Sequence, residues 1–287
     1  MPLPRILITS GDPAGIGPEV IAAALASSDL PDHCIYEWLP VPSSSIPGKP
    51  DERSARIAWD ALEESARRLN EGSADAVVTG PVSKEQLQAI GFPYPGQTEF
   101  FTDRLNAGET AMCLSGNHLT VGLVTIHIPL ADVARTLSIA NIVAKGKLLA
   151  EFVQRRKGRL PRIAVCGLNP HAGENGAFRS EELEIIAPAI TALNQSGIAQ
   201  FSGPHVPDAI FRDAVSGKYD AVLCMYHDQG LIPLKLLDFD NAVNITLGLP
   251  KPRLSPDHGT AFAIAGKNIA HHASMLRALQ LAAEMVK

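Results

Sequence analysis

The sequence predicts an α/β protein with two α/β/α domains, each built on a mostly parallel sheet. Three observations lead there. Short apolar runs of strand type alternate with longer segments of helical spacing along most of the 287 residues. Runs such as Ala221 to Cys224 are apolar throughout, as strands covered on both faces require. Such runs occur in both halves of the chain, with a hairpin signal between them, so the sheet divides in two.

The elements follow in order. Arg5 to Thr9 reads as a strand, broken at once by Ser10-Gly11-Asp12-Pro13-Ala14-Gly15-Ile16-Gly17-Pro18. Glu19 to Ser27 is a helix. Residues 31 to 51 are rich in Pro and Ser and read as an irregular connection. Ser54 to Asn70 is helical, since Ile57, Ala58, Leu62, Ala66 and Leu69 form one stripe. Ala74 to Thr79 is a buried strand closed by Gly80-Pro81. Ser83 to Ile90 is a short helix with Ser83 as its cap. Thr98 to Leu105 is helical. Thr110 to Ser115 and Leu119 to His127 form a hairpin about Gly116-Asn117. Leu130 to Leu137 and Ile139 to Arg155 are helices, and Arg162 to Cys166 is a strand. Ser180 to Asn194 and Pro207 to Val215 are helices. Ala221 to Tyr226 and Ala242 to Leu247 are strands. Thr260 to Ile264 leads toward a last helix, Ile269 to Met285.

Bulk properties narrow the function. Apolar residues make up 46% and charged residues 19%, an ordinary globular composition. A formal net charge of −5 argues against general binding to nucleic acid or anionic membranes. The densest basic run, Arg155-Arg156-Lys157-Gly158-Arg159, reads as a solvated helix end. Cys34, Cys113, Cys166 and Cys224 show no CxxC spacing and read as buried thiols in a reducing compartment. No signal-peptide pattern opens the chain, and no apolar run approaches the ~20 residues that span a bilayer. A soluble cytoplasmic protein is expected.

The stretch richest in chemistry is Met225-Tyr226-His227-Asp228-Gln229-Gly230, directly after a strand. His127 and His171 also stand at strand ends, where open α/β sheets bind ligands. Neutral imidazole is the commonest protein ligand for a divalent metal, so the three suggest one site with an open position. Lys235, Asn244 and Arg253 follow in an otherwise apolar region. They either line a pocket for an anion or form surface ion pairs. Gly96-Gln97-Thr98-Glu99 opens a helix, with Thr98 as a cap or as part of an anion grip. The loop Gly11 to Gly17 matches neither the P-loop nor the GxGxxG spacing and reads as a tight strand-to-helix turn.

Five motifs together resemble a known family: Thr9-Ser10-Gly11-Asp12-Pro13-Ala14-Gly15-Ile16-Gly17-Pro18-Glu19, Val78-Thr79-Gly80-Pro81, Asn169-Pro170-His171-Ala172-Gly173-Glu174, Met225 to Gly230, and Ser255-Pro256-Asp257-His258-Gly259-Thr260-Ala261. They are similar to the 4-hydroxythreonine-4-phosphate dehydrogenases of vitamin B6 biosynthesis, over Ile6 to about Ala270. The resemblance implies a fold like that of isocitrate and isopropylmalate dehydrogenases, with the active site in the cleft between domains. The expected division is 1–97 plus 245–287 for the cofactor side and 98–244 for the metal and dimerisation side. It implies NAD- or NADP-linked oxidation of 4-phosphohydroxy-L-threonine to 2-amino-3-oxo-4-phosphooxybutanoate, which loses CO2 to give 3-amino-2-oxopropyl phosphate. It implies a divalent metal (zinc, cobalt, magnesium, manganese or nickel) on His127, His171 and His227. Gln97, Thr98, Lys235, Asn244 and Arg253 match substrate contacts, and Lys235 is the candidate for proton transfer. Ser255, Asp257, His258, Gly259 and Thr260 match the cofactor loop. A homodimer with residues from both subunits in each site is implied.

The chain departs from that family pattern in four places. Gln97 stands where the family has His, Leu254 where it has Thr, and Ala263 where it has Asp. The segment from Ser27 to about Asp51 is shorter than usual by tens of residues. Gln97 keeps open a related dehydrogenase acting on a threonate phosphate or a cis-dihydrodiol carboxylate. Leu254 and Ala263 keep open a metal-binding protein without hydride transfer.

Overall fold

The structure is a computed structural model and describes residues 2–41 and 45–287. In chain order the elements are β1 (Arg5–Thr9), α1 (Gly17–Leu25), β2 (Ile35–Trp38), α2 (Glu52–Asn70), β3 (Ala76–Thr79), α3 (Lys84–Ala89), α4 (Gln97–Arg104), β4 (Ala111–Ser115), β5 (Thr120–Leu123), α5 (Leu130–Thr136) and α6 (Ile139–Lys157). Then come β6 (Arg162–Cys166), α7 (Ala187–Gln195), β7 (Gln200–His205), α8 (Ile210–Val215), β8 (Ala221–Cys224), α9 (His227–Asp238), β9 (Val243–Leu247), β10 (Arg253–Pro256) and α10 (Ala273–Met285).

Two compact units result, Met1–Gly108 with Asp240–Lys287, and Glu109–Phe239. In the first, the strands run β2-β1-β3-β10-β9, and only the β9–β10 pair is antiparallel. In the second, the order is β4-β5-β8-β6-β7, with β4–β5 the antiparallel pair. The boundaries differ from 97/98 and 244/245 for a packing reason. Phe100 and Phe101 of α4 are fully buried in one core with Leu7, Leu62, Val77 and Phe92, so α4 stays with the first unit. Val243–Leu247 pairs along its length with β10, so β9 does too.

Five expectations change where local signals conflicted with tertiary context. The connection at 31–51 contains β2, a half-exposed edge strand with no apolar alternation; its part at 42–44 lies outside the described residues. β7 holds Gly203 and Pro204, both weak strand formers, at a sheet edge. The segment after His227 forms α9 despite Gly230 and Pro233 inside it. The helix expected over 180–194 splits into a π turn, Glu182–Ile186, and α7. Pro188 lacks the N–H that an α-helix would aim at the Glu184 carbonyl, and the wider turn absorbs that gap. The last helix starts at Ala273 rather than Ile269. Among the described residues, no helix is long and apolar enough to cross a membrane.

Candidate active site

Arg253 organises the polar group of the first unit. Strand β10 carries it into the core, where it is 3% exposed. One terminal nitrogen, Nη2, donates to Thr79 Oγ1 at 2.7 Å and to Gln97 Oε1 at 2.9 Å; Nη1 donates to Thr246 Oγ1 at 3.3 Å. The guanidinium lies 5.9 Å from the centre of the Phe101 ring. Its Nε is buried without a partner. Burial pushes its pKa down to about 10, against the pull of Glu99. These hydrogen bonds all go to neutral groups, so the cation is held in place without being neutralised.

Thr98 joins this group, its hydroxyl 3.4 Å from that of Thr246. It is not the cap of α4: Gly96 holds that position, and no side chain caps the helix. Asn244 is the cross-strand neighbour of Ser255, and its Oδ1 is buried without a partner. Gln97 also donates to Gly80 O at 3.3 Å.

The loop after β10 packs on the glycine-rich turn after β1. Ile16 N donates to Thr260 O at 2.9 Å, and Asp257 N donates to Ser274 Oγ at 3.1 Å. His258 has a buried Nε2 with no partner, and burial lowers its pKa. The amides of Asp12, Ala14, Gly15 and Ile16 are all taken up by protein oxygens. That supports a structural turn over an anion cradle for these groups. Gly11 is required there, with φ +69° and Pro81 O only 2.1 Å from where a Cβ would sit.

In the second unit, His127 follows β5 and His227 opens α9, with ring centres 5.6 Å apart. Both line a pocket of about 420 Å³ with Ile126, Tyr226, Asp228 and Ile232. Asp228 Oδ1 lies 2.7 Å from His227 Nδ1, which leaves Nε2 to face a ligand. His171 sits elsewhere, in a turn whose residues 171 to 175 all have φ between 43° and 77°. Left-handed backbone costs a non-glycine residue roughly 1–2 kcal/mol, so this turn needs outside support. Lys235 stands eight residues along α9 from His227, or about 12 Å at 1.5 Å per residue. Its ammonium is 6.0 Å from the centre of the Phe239 ring.

The family model of the pyridoxal phosphate biosynthetic protein PdxA matches residues 20–282. A 4-hydroxythreonine-4-phosphate dehydrogenase of Geobacter metallireducens is 42% identical over 326 aligned residues, covering 99% of this chain and 96% of that protein. The chain belongs to the PdxA family.

A crystal structure of the enzyme of that name from Klebsiella pneumoniae superposes with a TM-score of 0.86 at 35% identity, covering 99% of this chain and 100% of that one. A terephthalate 1,2-cis-dihydrodiol dehydrogenase from Burkholderia xenovorans is more distant, at 0.71 and 25%, covering 98% and 97%. Isocitrate dehydrogenase from Methylococcus capsulatus, at 0.51 and 14% over 95% of this chain and 83% of its own, shares the fold. The expected fold class is therefore the observed one. The Geobacter alignment is longer than this PdxA-family chain, so that relative carries residues absent here.

His127 and His227 fit a metal by donor chemistry and proximity: with ring centres 5.6 Å apart on one pocket, both imidazoles would be among the ligands of a divalent ion. Among the described residues, no three His, Cys, Asp or Glu side chains form a metal-holding group. Sequence reasoning missed Thr79 and Thr246. The period of two along β9 places Thr246 on the face of Asn244 and offered a signal for it. Leu254, one of the departures, is fully buried between Val78 and Ile245. That change is one of core packing.

Proposed function

We propose that the chain is an NAD- or NADP-dependent dehydrogenase of 4-phosphohydroxy-L-threonine, yielding 2-amino-3-oxo-4-phosphooxybutanoate and then 3-amino-2-oxopropyl phosphate in vitamin B6 biosynthesis. The relatives' shared name supports the activity. The observation that carries the substrate class is Arg253, a buried cation whose partners are all neutral. A planar guanidinium so held is ready to take a phosphate or carboxylate through charge-assisted bonds. Thr98 and Asn244 would add a hydroxyl and an amide to the same anion or its neighbours. Ser255, Asp257, His258, Gly259 and Thr260 would receive the nicotinamide cofactor, and His258 is the member with a spare buried nitrogen.

His127, His171 and His227 would hold a divalent metal, and zinc, cobalt, nickel, manganese and magnesium all remain compatible with such donors. When bound, that ion lowers the pKa of the substrate hydroxyl and polarises the resulting ketone. Lys235 would accept the hydroxyl proton as a general base. His171 and Lys235 stand apart from the His127–His227 pair within one chain, which favours a homodimer in which a second copy completes each site. Ile128, Leu130, Ile232, Leu236 and Phe239 are 37% to 85% exposed on α9, at its C-cap, and on the segment that leads into and opens α5. Such an apolar surface is what a partner subunit covers.

Gln97 favours one second reading, a paralogous dehydrogenase of a threonate phosphate, because it bonds directly to the guanidinium that meets the anion. The cis-dihydrodiol alternative has weaker support: the Burkholderia xenovorans dihydrodiol dehydrogenase is less similar than the Klebsiella enzyme. NADH or NADPH formation with 4-phosphohydroxy-L-threonine and with threonate 4-phosphate, run side by side on the wild type and Gln97→His, tests the choice. The first reading expects the amino acid to be favoured by both proteins. Preference for threonate phosphate, reversed by Gln97→His, would establish the second.

A further inference from the structure

The turn that carries His171 is held by a carboxylate no motif reading singled out. Glu182, 2% exposed, opens the π turn and points its carboxylate back at the end of β6. Its Oε1 accepts Leu168 N at 2.8 Å and Asn169 N at 2.7 Å; its Oε2 accepts Asn169 Nδ2 at 3.0 Å. The turn folds over this group so closely that a Cβ on Gly173 would lie 2.5 Å from Oε2. One residue earlier, Gly167 O accepts Gln229 Nε2 at 2.8 Å, and Gln229 Oε1 accepts Met225 N at 2.7 Å. Gln229 lies on the first turn of α9, two residues after His227, and is 7% exposed.

These bonds form one continuous chain from the His227 turn to the His171 turn: Met225, Gln229, Gly167, then Leu168 and Asn169, and Glu182, buried at Gln229 and part-buried at Leu168 and Asn169. We infer that Glu182 and Gln229 are positioning residues for the histidine set, a brace fixing both histidine carriers to one scaffold. The inference rests on the metal reading proposed above. It holds whether His171 serves its own chain's site or a second copy's, because either geometry depends on where the two carriers sit in the protomer. The left-handed backbone of residues 171 to 175 explains the need, since a turn unfavourable in isolation keeps its shape only where surrounding groups overdetermine it. Side chains that orient metal ligands commonly change metal affinity by about 10- to 100-fold when removed.

The test is cobalt(II) binding to the metal-free, full-length protein, read by titration calorimetry and by the visible absorption of the bound ion. Wild type is compared with Glu182→Ala, Glu182→Gln, Gln229→Leu and His171→Ala, each checked for folding by circular dichroism and melting temperature. The brace predicts that folded Glu182→Ala and Gln229→Leu bind cobalt about 10- to 100-fold more weakly, with an altered absorption band. Glu182→Gln keeps an acceptor for Leu168 and Asn169 and should recover much of the loss. Wild-type affinity and spectrum in Glu182→Ala and Gln229→Leu, with binding impaired in His171→Ala, would leave the metal reading standing and overturn the brace. A lowered melting temperature without change in cobalt binding would do the same, by showing a structural role only. Wild-type binding in His171→Ala would remove the metal reading, and the brace with it.

Discussion

At the scale of single residues, the argument turns on Arg253. Its position was legible, because a lone arginine in an apolar stretch asks for a partner, but its neighbours were not. Thr79, Gln97 and Thr246 come from three separate segments and meet only through the β3-β10-β9 pairing and the start of α4. Removing one partner of a buried charged contact typically costs about 2–5 kcal/mol. Arg253→Ala should therefore lower kcat/KM by a factor of about thirty to several thousand, in steady-state kinetics on protein shown to be folded. Arg253→Lys should recover little, since an ammonium cannot reproduce the planar fork. Near-wild-type kinetics in Arg253→Ala would remove this residue from the substrate site.

At the scale of elements, the strands that position the site were read well where they were apolar and poorly where they carried function. β10 contains Arg253, Ser255 and Pro256, and its strand character comes from pairing on both sides rather than from composition. α9 hides behind Gly230 and Pro233 for the same reason: tertiary packing overrides local propensity. Edge strand β2 is held by charge. Glu37 bonds Arg5 of β1 at 2.6 Å and Arg68 of α2 at 2.5 and 3.0 Å, and Arg68 followed by Arg5 holds its carboxyl down to about 2. A carboxylate with a depressed folded pKa stabilises fully above its unfolded value and loses that contribution as pH falls through the folded one. The stability gap between wild type and Glu37→Gln in urea should thus be constant above about pH 5 and close as pH falls toward 2. A gap that widens in acid would contradict the bonding described.

The turn at 171–175 makes a second prediction at this scale. Gly173 has φ +77° and faces Glu182. Gly173→Ala should destabilise the protein by about 1–3 kcal/mol, seen as a lower urea midpoint with an unchanged slope. No sequence pattern announced that turn, because only Gly173 and Asn175 among its residues favour left-handed backbone.

At the scale of the whole molecule, two α/β units with mostly parallel sheets were legible from alternation alone, and the PdxA family from its five motifs. The exact division was not, because helix α4 and strand β9 follow their packing partners rather than their place in sequence. The sequence reads three histidines as a set, and among the described residues the structure pairs the rings of His127 and His227. On the proposal above, a second copy completes the site, and assembly and metal binding should fail together. Leu236→Asp, at a residue 85% exposed on α9, should shift sedimentation toward monomer and lower metal affinity together. A stable dimer with unchanged affinity would show that this face is not the interface.

The most direct measurement of the central claim is reduction of NAD or NADP at 340 nm with 4-phosphohydroxy-L-threonine. It should be made on metal-free protein, on protein reloaded with zinc, cobalt or magnesium, and on His227→Ala treated alike. The account predicts turnover that chelation abolishes, that at least one of these ions restores, and that His227→Ala does not regain. Undiminished turnover in thoroughly chelated wild-type protein, or in His227→Ala, would contradict it.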